Sequence, residues 1–166
     1  MIFEGDHSVI KAIKEKKRLM DADLPHDHIR PLLFQGGGLM CGAYGVGGAL
    51  ALEELGFTNC FSYLVGVSSG APIIAHFAAG TTDQGQAVLK EDCCDKDFIN
   101  PLRFWNQVNT GKVMEVISED EHKKIDVDKV NDNPGQIYIG VTKYNDASPH
   151  LIKPRNREHF FNAIHA

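Results

Sequence analysis

Apolar and polar positions change period several times along the chain, and each change predicts an element. Val9, Ile10, Ile13 and Met20 recur at helical spacing across Ser8 to Met20, which predicts an amphipathic helix with these four side chains towards the core. Pro31-Leu-Leu-Phe-Gln35 is a short apolar run entering Gly36-Gly37-Gly38, the pattern of a strand that ends in a turn. Gly42 to Leu55 predicts a helix stopped by Gly56, and Phe61 to Val67 a second apolar strand. Ala71 to Ala79 follows as a helix, with Pro72 tolerated in its first turn and Gly80 ending it. Beyond Asp83 the pattern is polar and mixed until Gln136 to Thr142, a later strand beside which His150 to Lys153 is expected to pair as a hairpin. Strands alternating with helices predict an α/β domain with a mostly parallel sheet.

The length of 166 residues fits one domain. It divides into an N-terminal helix and lead-in (1–29), a glycine-rich centre (30–82), and a variable helical region with later strands (83–166). The centre is nearly uncharged: between Arg30 and Asp83 only Glu53 and Glu54 are ionic. Three glycines, Gly45, Gly47 and Gly48, fall inside a predicted helix, where each costs about 1 kcal/mol relative to Ala; close packing of that helix on the sheet is the expected reason. The formal net charge of −5 excludes a general nucleic-acid binder, which needs clustered Lys and Arg. The one basic run, Lys14 to Arg18, reads as a solvated helix face, with transient contact with a membrane surface as the alternative. No signal peptide or membrane span is visible, so a cytoplasmic location is the default and export by a non-classical route stays open. Cys41, Cys60, Cys93 and Cys94 lack metal or disulfide-scaffold spacing and are expected to be reduced, the adjacent pair inert. The sequence does not address oligomeric state.

Two glycine turns carry the candidate chemistry. Gly66-x-Ser68-x-Gly70 fits a nucleophile elbow, in which a serine sits on a strained strand-to-helix turn flanked by small residues. Gly36, Gly37 and Gly38 form a second turn of the same kind, and Gly38 precedes Ser68 by 30 residues, one βαβ unit. A right-handed crossover brings both turns to one sheet edge. There the first would offer backbone N–H groups to an oxyanion, and the second a nucleophilic hydroxyl. Phosphate-binding readings fail: no Gly-Lys-Ser/Thr is present, and a dinucleotide fingerprint would need glycine where Cys41 stands.

The stretch from Phe34 through Gly56, followed by Leu64-Val-Gly-Val-Ser-Ser-Gly-Ala71, resembles the patatin-like phospholipases. The strand at 137–142 and the terminal Phe160 to Ala166 are similar more loosely. The resemblance implies a three-layer α/β/α domain and a serine lipid acyl hydrolase. Its substrate would be a phospholipid or lysophospholipid, its nucleophile Ser68, its oxyanion loop Gly36 to Gly38, with no cofactor and no metal. Two departures stand out. Leu39, Met40 and Cys41 occupy the place of the family's basic residue. The family's dyad aspartate lies in an Asp-Gly motif, and this chain has no Asp-Gly dipeptide. Truncation ahead of that motif is the expected reason, which would leave this chain alone a poor catalyst.

Other readings stay in view. In an α/β-hydrolase a histidine base would follow the serine, and His150, His159 and His165 do; a non-catalytic lipid-binding module is the further alternative. Most of the eight histidines read as surface residues, and His26-x-His28 lacks a third ligand for zinc. Asp126-x-Asp128 lacks the remainder of a calcium loop and reads as solvated loop carboxylates. The cluster Phe98-Ile-Asn-Pro-Leu-Arg-Phe-Trp105 is expected in the core, with a lipid-contacting or acyl-pocket surface as the alternative.

Overall fold

The computed structural model describes residues 7–105 and 107–166. Residues 1–6 of the N-terminal segment lie outside that description. The elements are α1 (His7–Asp21), β1 (Leu32–Gln35), α2 (Gly42–Glu54), β2 (Tyr63–Val67), α3 (Gly70–Ala79) and α4 (Thr82–Ala87), then α5 (Thr110–Glu119), α6 (Val127–Asp132), β3 (Gln136–Thr142), β4 (Pro149–Ile152) and α7 (Arg157–His165). The strands form one sheet in the order β1-β2-β3-β4, parallel through β3, with β4 antiparallel beside it. The fold is therefore mixed α/β with a mostly parallel sheet. No helix among the described residues is long and apolar enough to cross a membrane.

Register decides which strand residues share a face. Leu33, Leu64 and Ile137 stand in one row, and Gln35, Gly66, Ile139 and Ile152 in the next. Both hydrophobic clusters draw their strand residues from this face. One gathers Val46, Phe61, Leu64, Ile74 and Phe77; the other gathers Ile117, Ile125, Ile139, Phe160 and Ala163. Helix α3 is buried along eight of its ten residues and serves both, with Ile73, Ile74 and Phe77 in the first and Ala71 and Ala75 in the second. The opposite face carries Leu32, Phe34 and Leu151, which are 53%, 58% and 53% exposed. Val65 of the same face is buried, so the described residues give the sheet one fully covered face and one that is exposed chiefly at β1 and β4.

Capping explains several boundaries. Gly56, at φ +72°, ends α2, and Gly80, at φ +66°, ends α3 in the left-handed conformation that glycine adopts without penalty. Asn109 caps α5 by accepting from the Lys112 N–H, and Asn156 caps α7 by accepting from His159 N–H. Asp126 accepts from the N–H groups of Asp128 and Lys129 and so caps α6, which corrects its reading as a solvated loop carboxylate. Asp128 is exposed in the first turn, on the favourable end of the helix dipole.

Four further expectations are corrected. Helix α1 forms, but Val9 and Ile10 are exposed; Ile13 meets the core, because the helix docks through its second half. Lys16 in the basic run is buried rather than solvated, and its ammonium donates to Ser62 Oγ at 2.9 Å. In the aromatic cluster Phe98 is buried, whereas Leu102, Phe104 and Trp105 are exposed. The helical glycines also differ from expectation. A Cβ on Gly45 would strike the Gln35 side chain, but Gly47 and Gly48 have nothing within 4 Å of theirs.

These last two residues weaken α2 without a packing return. Gly47→Ala or Gly48→Ala is expected to raise stability by about 0.5–1 kcal/mol, through helix propensity and a less flexible unfolded chain. The measure is a higher urea midpoint at unchanged slope; a lower midpoint would show that this face is packed after all.

Candidate active site

The site begins where β2 runs out. After Val67 the chain turns through Ser68, at φ +54°, and enters α3 at Gly70. A serine in this left-handed region carries about 1–3 kcal/mol of backbone strain, which the surroundings must hold in place. They do so by proximity. A Cβ on Gly66 would fall 2.5 Å from Ala71 Cα, and one on Gly70 would fall 2.1 Å from the carbonyl oxygen of Gln35. Neither position has room for a side chain. The helix can start against the strand ends only because both residues are glycine.

The triple-glycine turn lies directly over the serine. A Cβ on Gly37 would sit 2.5 Å from Ser68 Cβ and 2.9 Å from its Oγ. Gly38 takes φ +121°, and its carbonyl accepts from Cys41 N–H at 2.9 Å, which fixes the loop ahead of α2. The N–H groups of Gly36, Gly37 and Gly38 make no hydrogen bond to another described residue. Ser69 N–H is equally unspent. It directly follows Ser68, the place from which a nucleophile-elbow motif would take a further donor. The structure therefore brings together Ser68, Gly37, Gly66 and Gly70, and adds Ser69.

Ser68 is exposed at one end of a cavity of about 910 Å³. The wall is largely apolar, with Phe34, Met40, Val88, Phe98, Met114 and Ile117 among its residues. Among the described residues no Asp or Glu lines this cavity. Its titratable groups are Cys93, His76, His150 and His165. Burial pushes the Cys93 thiol up to about 11, so it is protonated and inert at neutral pH, and no disulfide joins any of the four cysteines.

The histidines divide by position. His150 pairs with Val141 at the end of the sheet where β2 also ends, two strand spacings, about 10 Å, from β2. His165 reaches the cavity from the end of α7, whereas His159 does not line it. His76 was not singled out by any motif and is not a surface residue. It lies on α3 eight residues, roughly 12 Å, beyond Ser68, too far to take its proton. Its Nδ1 lies 3.1 Å from Thr81 Oγ1, whose hydroxyl in turn donates to the His76 carbonyl. That arrangement puts the ring proton on Nδ1 and leaves Nε2 a buried acceptor without a partner. Among the described residues no three His, Cys, Asp or Glu side chains are grouped to hold a metal.

Comparison of the chain with protein-family models, with curated proteins and with solved structures found no match. Inferences about chemistry rest on the geometry above.

Burial lowers the His76 pKa from 6.5 to about 4, against a smaller opposing effect of Asp83. The folded protein keeps this ring neutral while the unfolded chain protonates it below pH 6.5. Its contribution is complete above pH 6.5, is lost as pH falls to 4, and amounts to about 3 kcal/mol at most. His76→Gln, which cannot titrate, should flatten the stability profile between pH 6.5 and 4 by that amount in urea titrations. Parallel profiles for the parent and the variant would contradict the neutral buried ring.

Proposed function

We propose that this chain is a serine acyl hydrolase of the patatin-like kind, acting on fatty-acyl esters of phospholipids or lysophospholipids. The observation that carries the reading is the strained Ser68, with the Gly37 backbone packed against its hydroxyl at the mouth of an apolar cavity. The cavity suits an acyl chain, since about 910 Å³ lies within the range of small-ligand sites and its lining is mainly hydrocarbon. The open face bearing Leu32, Phe34 and Leu151 is compatible with a third layer there, as the patatin-like architecture requires.

In this reading Ser68 Oγ attacks the ester carbonyl carbon while a base takes its proton. The carbonyl oxygen becomes an oxyanion, held by N–H groups of the Gly36–Gly38 loop and of Ser69 at the start of α3. Collapse of the tetrahedral intermediate breaks the ester bond, and the departing alcohol leaves with the proton. Water then attacks the acyl-serine and releases the fatty acid. The base is the part the cavity wall lacks as a carboxylate. The patatin-like reading assigns it to an aspartate outside these 166 residues, and a serine hydroxyl without such a partner is a weak nucleophile. The chain alone should therefore turn over slowly.

A serine-reactive fluorophosphonate tests the nucleophile without requiring turnover. Labelling should map to Ser68, slowly while the aspartate base is absent, and vanish in Ser68→Ala with the fold retained. Gly37→Ala should slow labelling by roughly a hundredfold, the usual effect of losing one oxyanion donor. Labelling that persists in Ser68→Ala would overturn the assignment.

A second reading is favoured by one observation: His150 and His165 line the same cavity as Ser68. Either could supply an imidazole base, as in an α/β-hydrolase. The two readings separate on His150→Gln and His165→Gln. An aspartate base leaves labelling of both variants within about tenfold of the parent; a drop of more than about a hundredfold in one identifies the histidine as the base.

A further inference from the structure

Residues 98–105 leave the cavity wall and residues 107–109 return to it. Phe98 and Val108 line the cavity. Between them Ile99 pairs antiparallel with Val108, the Asn100 N–H donates to the Gln107 carbonyl at 2.8 Å, and the Asn109 N–H to the Phe98 carbonyl at 2.8 Å. The neck is thus closed by one isolated antiparallel bridge and its two flanking backbone hydrogen bonds. Its tip is held as well: Asn100 Oδ1 accepts from Leu102 N–H at 3.0 Å, and the Arg103 guanidinium donates to the carbonyls of Lys96 and Asp97 at 3.0 and 2.8 Å. What this frame presents to solvent is apolar. Leu102 is 84% exposed, Phe104 85% and Trp105 99%.

We propose that this loop docks the protein on a zwitterionic lipid surface, with Leu102, Phe104 and Trp105 entering the boundary between headgroups and acyl chains. The inference rests on the acyl-hydrolase reading, because an enzyme for lipid esters meets its substrate at an interface. It joins the tip to the cavity through Phe98 and Val108, so that docking sets the cavity beside the lipid. Tryptophan and phenylalanine are the side chains that favour the headgroup level, and a tip of this kind needs no complementary partner shape.

Other occupants fit less well. Three side chains of this size offer roughly 500 Å², below the roughly 800 Å² per partner of a stable protein interface. Attraction to anionic lipid has little to work with: Arg103 is tied to backbone carbonyls, Lys112 pairs with Asp95 at 2.6 Å, and the chain carries a net charge of −5. The basic run of α1 adds little, since Lys16 is buried on Ser62, Lys17 pairs with Asp21 and Arg18 with Glu15, which leaves the single exposed Lys14. Binding should therefore be apolar and little affected by salt.

Trp105 is the single tryptophan of the chain and reports directly on the tip. With phosphatidylcholine vesicles its emission should shift to the blue and be quenched by brominated acyl chains, to the same extent at low and high salt. Leu102→Ser combined with Phe104→Ser should weaken vesicle partition by roughly tenfold or more. Far-ultraviolet circular dichroism and the melting midpoint should stay unchanged, as for an exposed site. Absence of both shift and quenching overturns the proposal. So does binding confined to anionic vesicles and lost in salt, or a shift that follows protein concentration without lipid, which would make the tip a self-association surface. Ser68→Ala should bind vesicles like the parent. Vesicle binding by a chain whose Ser68 is unreactive would keep the docking loop and sink the hydrolase reading; a reactive Ser68 without vesicle binding would do the reverse.

Discussion

The rest of the site depends on one close approach, that of the start of α3 to the end of β1. The Cα of Gly70 faces the Gln35 carbonyl so closely that a methyl group there would come within 2.1 Å of its oxygen. A helix that begins this near the strand ends forces the chain to reverse within two residues of β2, and Ser68 absorbs the reversal at φ +54°. The strain, about 1–3 kcal/mol, is modest beside what holds it. Ile73, Ile74 and Phe77 of the same helix are almost wholly buried, each contributing about 1.5–3 kcal/mol. Burial of α3 wins, and the serine is left in a conformation it would not choose.

The same approach decides the electrostatics. Glycine at 37 lets the loop backbone pass over the Ser68 hydroxyl, beside the amino end of α3, and the N–H groups of that loop make no hydrogen bond to another described residue. Around them the wall is hydrocarbon and carries no carboxylate among the described residues. Gly37, Gly38 and Ser68 are themselves exposed, so solvent reaches these donors and screens part of any charge placed beside them. His76 fits this picture from the other side. It is kept neutral by burial, so the cavity carries no fixed positive charge from that ring at neutral pH.

How much of this was legible in the sequence varies with the range of the interactions involved. The strands at 32–35, 63–67 and 136–142, the helices that follow the first two, and the serine elbow are written in short, contiguous patterns of apolar residues and glycine. What the sequence misplaced depends on contacts between distant segments. Val9 and Ile10 have the right period for a buried face, but α1 docks through Ile13 and Lys16, and the latter finds Ser62 46 residues away. Gly47 and Gly48 look like packing glycines until the neighbouring surface proves empty. His76 carries no local signal of burial, and the split of the aromatic cluster between Phe98 and an exposed tip depends on the Ile99–Val108 pairing that closes the loop.

The open face of the sheet bears on how far the site stands on its own. Leu32 and Phe34 alternate with Leu33 and Gln35 along β1, so every second residue of this edge strand points away from both clusters. An apolar edge strand is a liability that proteins limit by keeping it short, and β1 has only four residues. The elements that shape the serine turn use the other face. Gly66 packs on Ala71, Gly70 on the Gln35 carbonyl, and α3 on Leu64 and Phe61 within one cluster. The left-handed Ser68 and the glycine loop over it are therefore fixed from the side that α3 packs, independently of the exposed Leu32 and Leu151.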